Sequence, residues 1–534
     1  MQDMKTLTLL ALLIISTCLN ANDRYPADSI DVIHYDFTIY LSDQYDRIRG
    51  EAKINIVYTG QTRQLSFDLT CPGDDGRGMV VENVSMDDKT IVWEHNNDRL
   101  TITPGSIQTK GDTSDISVSY YGIPTDGLII SNNRYGARTF FADNWPDRAR
   151  NWIPCVDHPS DKAVVDFRVY APDKYKVVSN GYLLEESPLP DGLKLSHWKE
   201  EVSIPTKVMV IGVAEFAVRL AGRSEGTEIW SYVFPEDRVA GFSDYSVAVL
   251  PFEWYTDKIG PYPYAKLANV QSKTMFGGME NAGCIFYSER SVTGEGRAER
   301  LIAHEIAHQW FGNSVTEKDW HHIWLSEGFA TYLTALYQES REGEEKLMEV
   351  MDQARQRVIA YSHRSLAPVV DTSIINLMEL LSTNSYQKGA WVLHMLKNKT
   401  GGDLFWKGIQ AYYARYRDSN ALTSDFKEIM EEASGTELDD FFHQWLYLGG
   451  HPILNVSWTY DDRKNELSVL VEQLQDGHIF EFPLELLIKN NQGEKLVDMT
   501  VDRASQTFVF SSASPPDNVI ADPGVKLLFE NRSE

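Results

Sequence analysis

Over roughly the first two hundred residues, apolar and polar positions alternate. Asp36-Phe37-Thr38-Ile39-Tyr40-Leu41 and Lys53-Ile54-Asn55-Ile56-Val57-Tyr58 put every second side chain on one face, the period of a half-buried strand. Turn clusters such as Pro72-Gly73-Asp74-Asp75-Gly76 separate these runs, so residues from about 31 to 218 are predicted to form a β-rich domain. From about 226 to 450 the period moves towards that of a helix. Leu347, Val350, Met351, Ala354 and Val358 recur at helical spacing, and Thr423-Ser424-Asp425-Phe426-Lys427-Glu428 opens another helix with a capping signal. After His451-Pro452 the alternation returns, over 453–458 and 467–471, on the scale of a small β-sandwich. The expected division is therefore 22–222, 223–447 and 448–534.

Residues 1–21 stand apart. Lys5, an apolar run over 7–16 and small residues up to Ala21 read as a secretory signal, too short to span a bilayer. The mature chain is expected to be exported, periplasmic or secreted, with cleavage near Ala21 favoured over lipid attachment at Cys18. No integral membrane segment is expected in the mature chain. That leaves Cys71, Cys155 and Cys284, an odd number, and the expectation of three buried free thiols. With 77 acidic against 50 basic side chains the net charge is −27, which argues against a nucleic-acid partner. A hydrophobic content of 43% with 11% aromatics excludes a disordered chain. Oligomeric state is left open.

The chemistry centres on His304-Glu305-Ile306-Ala307-His308. Positions four apart lie nearly above one another on a helix, so both imidazoles leave the same face. Two nitrogens so placed can share one zinc, with Glu305 beside the metal as a base. A catalytic zinc keeps three protein ligands and an open position, so a third ligand is required. Glu327, in Trp324-Leu325-Ser326-Glu327-Gly328, is one candidate, presented by a helix after the turn at Gly312-Asn313. His321-His322 lie nearer and compete for the role.

With Gly277-Gly278-Met279-Glu280-Asn281 upstream and Tyr386-Gln387-Lys388-Gly389-Ala390 downstream, the chain resembles the zinc aminopeptidases of the aminopeptidase N and leukotriene hydrolase family. Pro154-Cys155-Val156-Asp157 and Gly450-His451-Pro452 look like further landmarks of that family. The resemblance implies a multidomain α+β chain: an N-terminal saddle-like β domain, a thermolysin-like zinc catalytic domain and a C-terminal small β-sandwich. It implies His304, His308 and Glu327 as ligands of one Zn2+, Glu305 as the base that activates water, and Tyr386 as the oxyanion donor. It also implies that Glu280 grips the free α-amine of a peptide substrate, while Gly277, Gly278, Met279 and Asn281 line its path.

Three departures accompany the resemblance. Many relatives carry an acidic residue in a Gln-x-Glu stretch upstream of the Pro-Cys landmark; here Asp143-Asn144-Trp145 covers that stretch, with Trp145 at the acidic position. Asp143 is therefore a candidate for the amine contact, and Trp145 for the wall of the first side-chain pocket. Ser326 stands where relatives often have Asn. The chain runs only about 80 residues past His451, so a C-terminal helical domain common in relatives is expected to be missing and the cleft to be more open. The alternatives to an aminopeptidase are a thermolysin-like endopeptidase and a catalytically silent peptide-binding scaffold.

Overall fold

The computed structural model describes residues 29–533, so the proposed signal over 1–21 lies outside the described residues. The N-terminal region is built on an eight-stranded sheet in the order Tyr182–Pro188, Leu193–Pro205, Lys162–Pro172, Ile30–Tyr40, Ile48–Tyr58, Thr113–Ile123, Gly78–Met86, Lys89–Thr90. At its centre β1 (Ile30–Tyr40) runs parallel to β2 (Lys162–Pro172), with Phe37 opposite Phe167. The alternation read in the sequence becomes burial: Phe37, Ile39, Ile54 and Ile56 face a dry core while Thr38, Lys53 and Asn55 face outward. Cys155 is in this core, whereas Cys71 is only half-buried, because it sits in the turn region before Gly78–Met86; Cys284 is buried, and all three are free.

The next region starts with strands rather than helices. A five-stranded sheet is formed by β3 (Ala217–Ser224), β4 (Thr227–Val233), β5 (Lys266–Ser272), β6 (Gly278–Met279) and β7 (Cys284–Ser288), in the order β3-β4-β5-β7-β6. Its central strand β5 is parallel to both neighbours and buried at every position. It therefore shows no alternation to read. Two helices, α1 (Arg238–Tyr245) and α2 (Val249–Lys258), fall between β4 and β5.

The helical layer follows: α3 (Glu299–Ala307), α4 (Trp324–Glu342), α5 (Glu344–Ser362), α6 (Gly389–Thr400), α7 (Gly402–Tyr416) and α8 (Thr423–Ser434). The repeat Leu347–Val358 becomes the inner face of α5, with Leu347, Met351, Ala354 and Val358 buried. At α8 the side chain of Asp425 accepts the Leu422 N–H, and Thr423 turns its hydroxyl inward to accept from the Trp324 indole. Helix α4 meets α6 at two glycines: a Cβ on Gly328 would stand 3.0 Å from Gly389 Cα. Trp310, Trp324, Phe329, Trp391 and Phe426 fill the core between these helices.

The last region packs a four-stranded sheet (Ser505–Ser511, Glu466–Gln473, Ile453–Asp461, Glu530–Asn531) against a three-stranded one (Gly493–Val501, Phe482–Asn490, Asn518–Ala521). Among the described residues no helix is long and apolar enough to cross a membrane.

The N-terminal β region is joined to the five-stranded sheet and the helices by polar contacts, some of them fully buried. Lys162 Nζ, on β2, donates to the backbone carbonyls of Asn313, Ser314 and Ser419 at 3.1, 2.8 and 3.2 Å. Lys207 and Glu317 form an ion pair in which both side chains are shut off from solvent. Asn180 Nδ2 donates to the Ala282 carbonyl at 2.8 Å.

Candidate metal and peptide site

Helix α3 exists because Ile302, Ala303, Ile306 and Ala307 bury one side of it against α2 and α4. Its other side carries His304 and Glu305, and His308 follows at the helix end. Gly312, at φ +118°, turns the chain sharply after the helix; a Cβ there would lie 3.1 Å from His308 Nδ1 and 3.2 Å from Ser326 Cβ. The chain then returns through a short strand to α4, whose first turn holds Glu327.

His304 Nε2 and His308 Nε2 are 3.2 Å apart, and Glu327 Oε2 lies 3.5 Å from the first and 3.3 Å from the second. Ligands held ~2.0–2.1 Å from a tetrahedral zinc sit ~3.3–3.4 Å from one another, so the triangle has the dimensions a zinc ion requires. Glu327 Oε2 is buried with no hydrogen-bond partner, as an atom reserved for a cation would be. His308 Nδ1 faces the Phe311 carbonyl at 3.2 Å and the Ser326 hydroxyl at 3.0 Å. Donation of Nδ1–H to that carbonyl leaves the Nε2 lone pair for the metal. The competing histidines are occupied elsewhere: His321 bonds Asp319 and the Ile374 carbonyl, and His322 bonds Thr423.

Glu280 follows β6, the edge strand, and its backbone carbonyl accepts from Gln309 Nε2 at 2.8 Å and Asn313 Nδ2 at 2.6 Å. Its Oε1 is buried without a partner. Gly278 lets this strand pass close over Glu305; a Cβ there would meet Glu305 Cδ at 2.5 Å. Tyr386 lies on a π-helical turn, Asn384–Lys388, with its ring stacked at 6.1 Å on His304. Such turns are common at functional sites because they re-aim a side chain out of helical register.

Gly277, Gly278, Met279, Glu280, His304, Glu305, His308, Glu327 and Tyr386 line one cavity of about 250 Å³. Trp145, Phe276, Leu301 and Leu381 add an apolar wall. Two expected residues are elsewhere. Asn281 is fully buried and does not reach the cavity. Asp143 is also fully buried: one oxygen pairs with Arg148 at 2.8 Å, and the other accepts from Thr274 Oγ1 and the Met275 N–H. It braces the segment leading into β6 from behind and offers nothing to a substrate amine. Trp145, by contrast, is part of the wall.

Three carboxylates, Glu280, Glu305 and Glu327, share this buried space. Burial raises the pKa of Glu280 and Glu305, and the neighbouring carboxylates raise both further, while His308 opposes the rise. At His308 burial works against the charge, but Glu327, Glu280 and Glu305 outweigh it and lift the imidazole to about 9. Burial, together with these same carboxylates, raises the Tyr386 phenol well above its usual range and keeps it a donor. A dication and an ammonium would balance three such carboxylates. Gln309, Phe276, Leu301 and Leu381 are supporting residues that motif spacing does not point to; Asn313 stands out only as part of a turn and Ser326 only as a departure from relatives.

Comparison with known proteins agrees with this geometry. Residues 32–208 match the Peptidase M1 N-terminal domain and residues 244–445 the Peptidase family M1 domain. The chain is 30% identical to glutamyl aminopeptidase of Sus scrofa over 334 residues, 59% of this chain and 35% of that protein. It is 26% identical to probable aminopeptidase 1 of Sulfurisphaera tokodaii over 493 residues, 86% of this chain and 59% of that one. To the glutamyl aminopeptidase of Homo sapiens it is 28% identical over 465 residues, 82% of this chain and 48% of the relative. The chain thus spans between about a third and three-fifths of the length of these relatives. With both matched segments contributing to the one cleft that holds the candidate metal ligands, the chain belongs to peptidase family M1.

Proposed function

We propose that this protein is a zinc-dependent aminopeptidase that hydrolyses the N-terminal peptide bond of peptides. The observation that carries the reading is the buried, unpartnered Glu280 Oε1 beside the metal-ligand triangle. A carboxylate there has a use only if the substrate brings a cation, and a peptide N-terminus does so next to the first peptide bond. The wall of Trp145, Phe276, Leu301 and Leu381 suits an apolar first side chain.

The residues divide the work. Bound by His304, His308 and Glu327, zinc would polarise the scissile carbonyl and make the attacking water more acidic. Glu280 holds the α-ammonium and sets the first peptide bond over the ligands. The free edge of β6 can pair with the peptide backbone as an added strand. Glu305 takes a proton from the attacking water on its carboxylate and passes it to the departing amine. Tyr386 keeps its phenolic proton and donates it in a hydrogen bond to the oxygen that gains charge, a contact of ~2.7–4 kcal/mol in comparable sites.

The test is a panel of aminoacyl-anilides, each with its N-acetylated twin, with and without chelator. Cleavage of the free-amine set alone, lost on chelation and restored by zinc, is the expected result. Cleavage of the acetylated twins would overturn the role of Glu280 and point to an endopeptidase. Export belongs to the same proposal, on the strength of Lys5 and the apolar run over 7–16. N-terminal sequencing of mature protein starting near residue 22 supports it, and an intact N-terminus refutes it.

A further inference from the structure

The cavity at the candidate metal ligands shares Leu301, His304 and Tyr386 with a second hollow of about 430 Å³, lined from α3, α4 and α5. Its chemistry differs from the rest of the molecule. In a chain with 77 acidic and 50 basic side chains, this hollow is lined by Arg297, Arg300 and Arg357 and by no carboxylate among the described residues. Arg297 has a partner, the exposed Glu295. The described residues provide no ion pair or hydrogen bond for Arg300 or Arg357. The nearest acid on the same turn, Glu299, accepts from the Tyr337 hydroxyl and faces Arg341. Partial burial lowers the pKa of Arg300 and the like charge of Arg357 lowers it further, although both residues stay largely exposed to solvent at the rim of the hollow. Arg300 also lies in the first turn of α3, where the helix dipole already presents positive charge. Thr331 Oγ1 and Gln338 Oε1, buried and without partners, line the same hollow.

Position gives this charge a purpose. Residues 300, 304 and 308 are four apart and share one face of α3, so Arg300 lies one turn, ~6 Å, beyond the first metal ligand. An extended peptide advances ~3.3 Å per residue. With its amine at Glu280 and its first bond at the metal, its second to fourth residues would run into the arginines. We propose that this hollow receives the part of the substrate beyond the scissile bond, and that Arg300 and Arg357 select peptides carrying a carboxylate there. The inference rests on the aminopeptidase reading. A free C-terminus of a short peptide and an Asp or Glu side chain present the same chemistry.

Two substrate pairs separate these sources: Leu-Ala-Ala against its C-terminal amide, and amidated Leu-Ala-Glu against amidated Leu-Ala-Gln. In the intact chain with zinc, kcat/KM at low salt is expected to be about 10-fold higher for the carboxylate member of at least one pair. The preference should shrink as ionic strength rises. It should fall towards unity in an Arg300→Gln/Arg357→Gln double variant and survive in part in the Arg300→Lys/Arg357→Lys double variant. Each ratio is taken within one protein, so changes in folding or metal loading cancel. A preference in the first pair assigns the site to a C-terminus, and one in the second pair to a side chain; either supports the subsite. Hydrolysis with ratios of one in both pairs overturns the subsite and leaves the aminopeptidase standing. Failure to hydrolyse any free-amine substrate overturns the parent reading, and the subsite with it.

Discussion

Gly278→Ala tests how the edge strand and Glu305, the proposed base, are fitted together. The added Cβ would stand 2.6 Å from Glu305 Cγ and 2.5 Å from Cδ, whereas carbon atoms rest at about 3.5–4.0 Å. Gly278 sits in an extended strand paired with Tyr287, so alanine brings no backbone strain, and the Glu305 side chain is the softer partner. The carboxylate must then move by about 1 Å, and a misplacement of that size costs ~100-fold in rate. The corresponding barrier is ~2.7 kcal/mol. No metal ligand is among the atoms the Cβ meets, so zinc binding should be retained. We expect kcat on an aminoacyl-anilide to drop about 100-fold with KM and melting temperature little changed, and the zinc content by chelator titration to stay at one. A kcat within threefold of the parent would refute the idea that β6 sets the position of Glu305.

The remaining predictions probe the oxyanion donor, the buried acid behind the site and a buried carboxyl far from it. Tyr386→Phe should lower kcat by ~100–1,000-fold with KM nearly constant, as for loss of one oxyanion donor; steady-state kinetics on the anilide decide it. Asp143→Asn uncouples a fully buried charge from Arg148, and should cost about 3 kcal/mol in urea unfolding while leaving the free-amine requirement intact. Loss of that requirement without loss of stability would return Asp143 to the substrate. Asp161 on the β1 side is pushed up to about 8 by burial, with only the Val32 N–H bonded to it. Its neutral form therefore stabilises the fold most fully below pH ~4, and the benefit is lost as pH rises towards 8. Asp161→Asn should flatten this dependence, gaining up to about 5 kcal/mol on the parent between pH 5 and pH 9 in thermal melts; parallel profiles would refute it.

How much of this was legible in the sequence depended on whether neighbours in space were also neighbours in pattern. Strands such as β1 are half-buried, so alternation showed them directly, and α5 showed its buried face in the spacing of Leu347, Met351, Ala354 and Val358. Strand β5, covered on both faces, carried no period and was hidden inside a region expected to be helical. At the site, His304 and His308 were visible because one helix turn relates them. Glu327 needed a turn whose geometry is set by Gly312, so the sequence offered it only as one candidate beside His321 and His322 and the resemblance selected it; Tyr386, on a π-helical turn, was reached through resemblance alone. Asp143 was misread because sequence position says nothing of Arg148, Thr274 and Met275, which enclose it.

The contacts of Lys162, Lys207 and Asn180 across the boundary bear on what counts as a separable part of this protein. Cut between the β region and the helices, the chain would strand Glu317 without its ammonium and release the carbonyls of Asn313 and Ser314 that Lys162 holds. Those carbonyls belong to the turn that joins the helix of His304 to the helix of Glu327. A nick or deletion in the N-terminal β region would therefore be felt at the candidate metal ligands, so the two regions act as one unit.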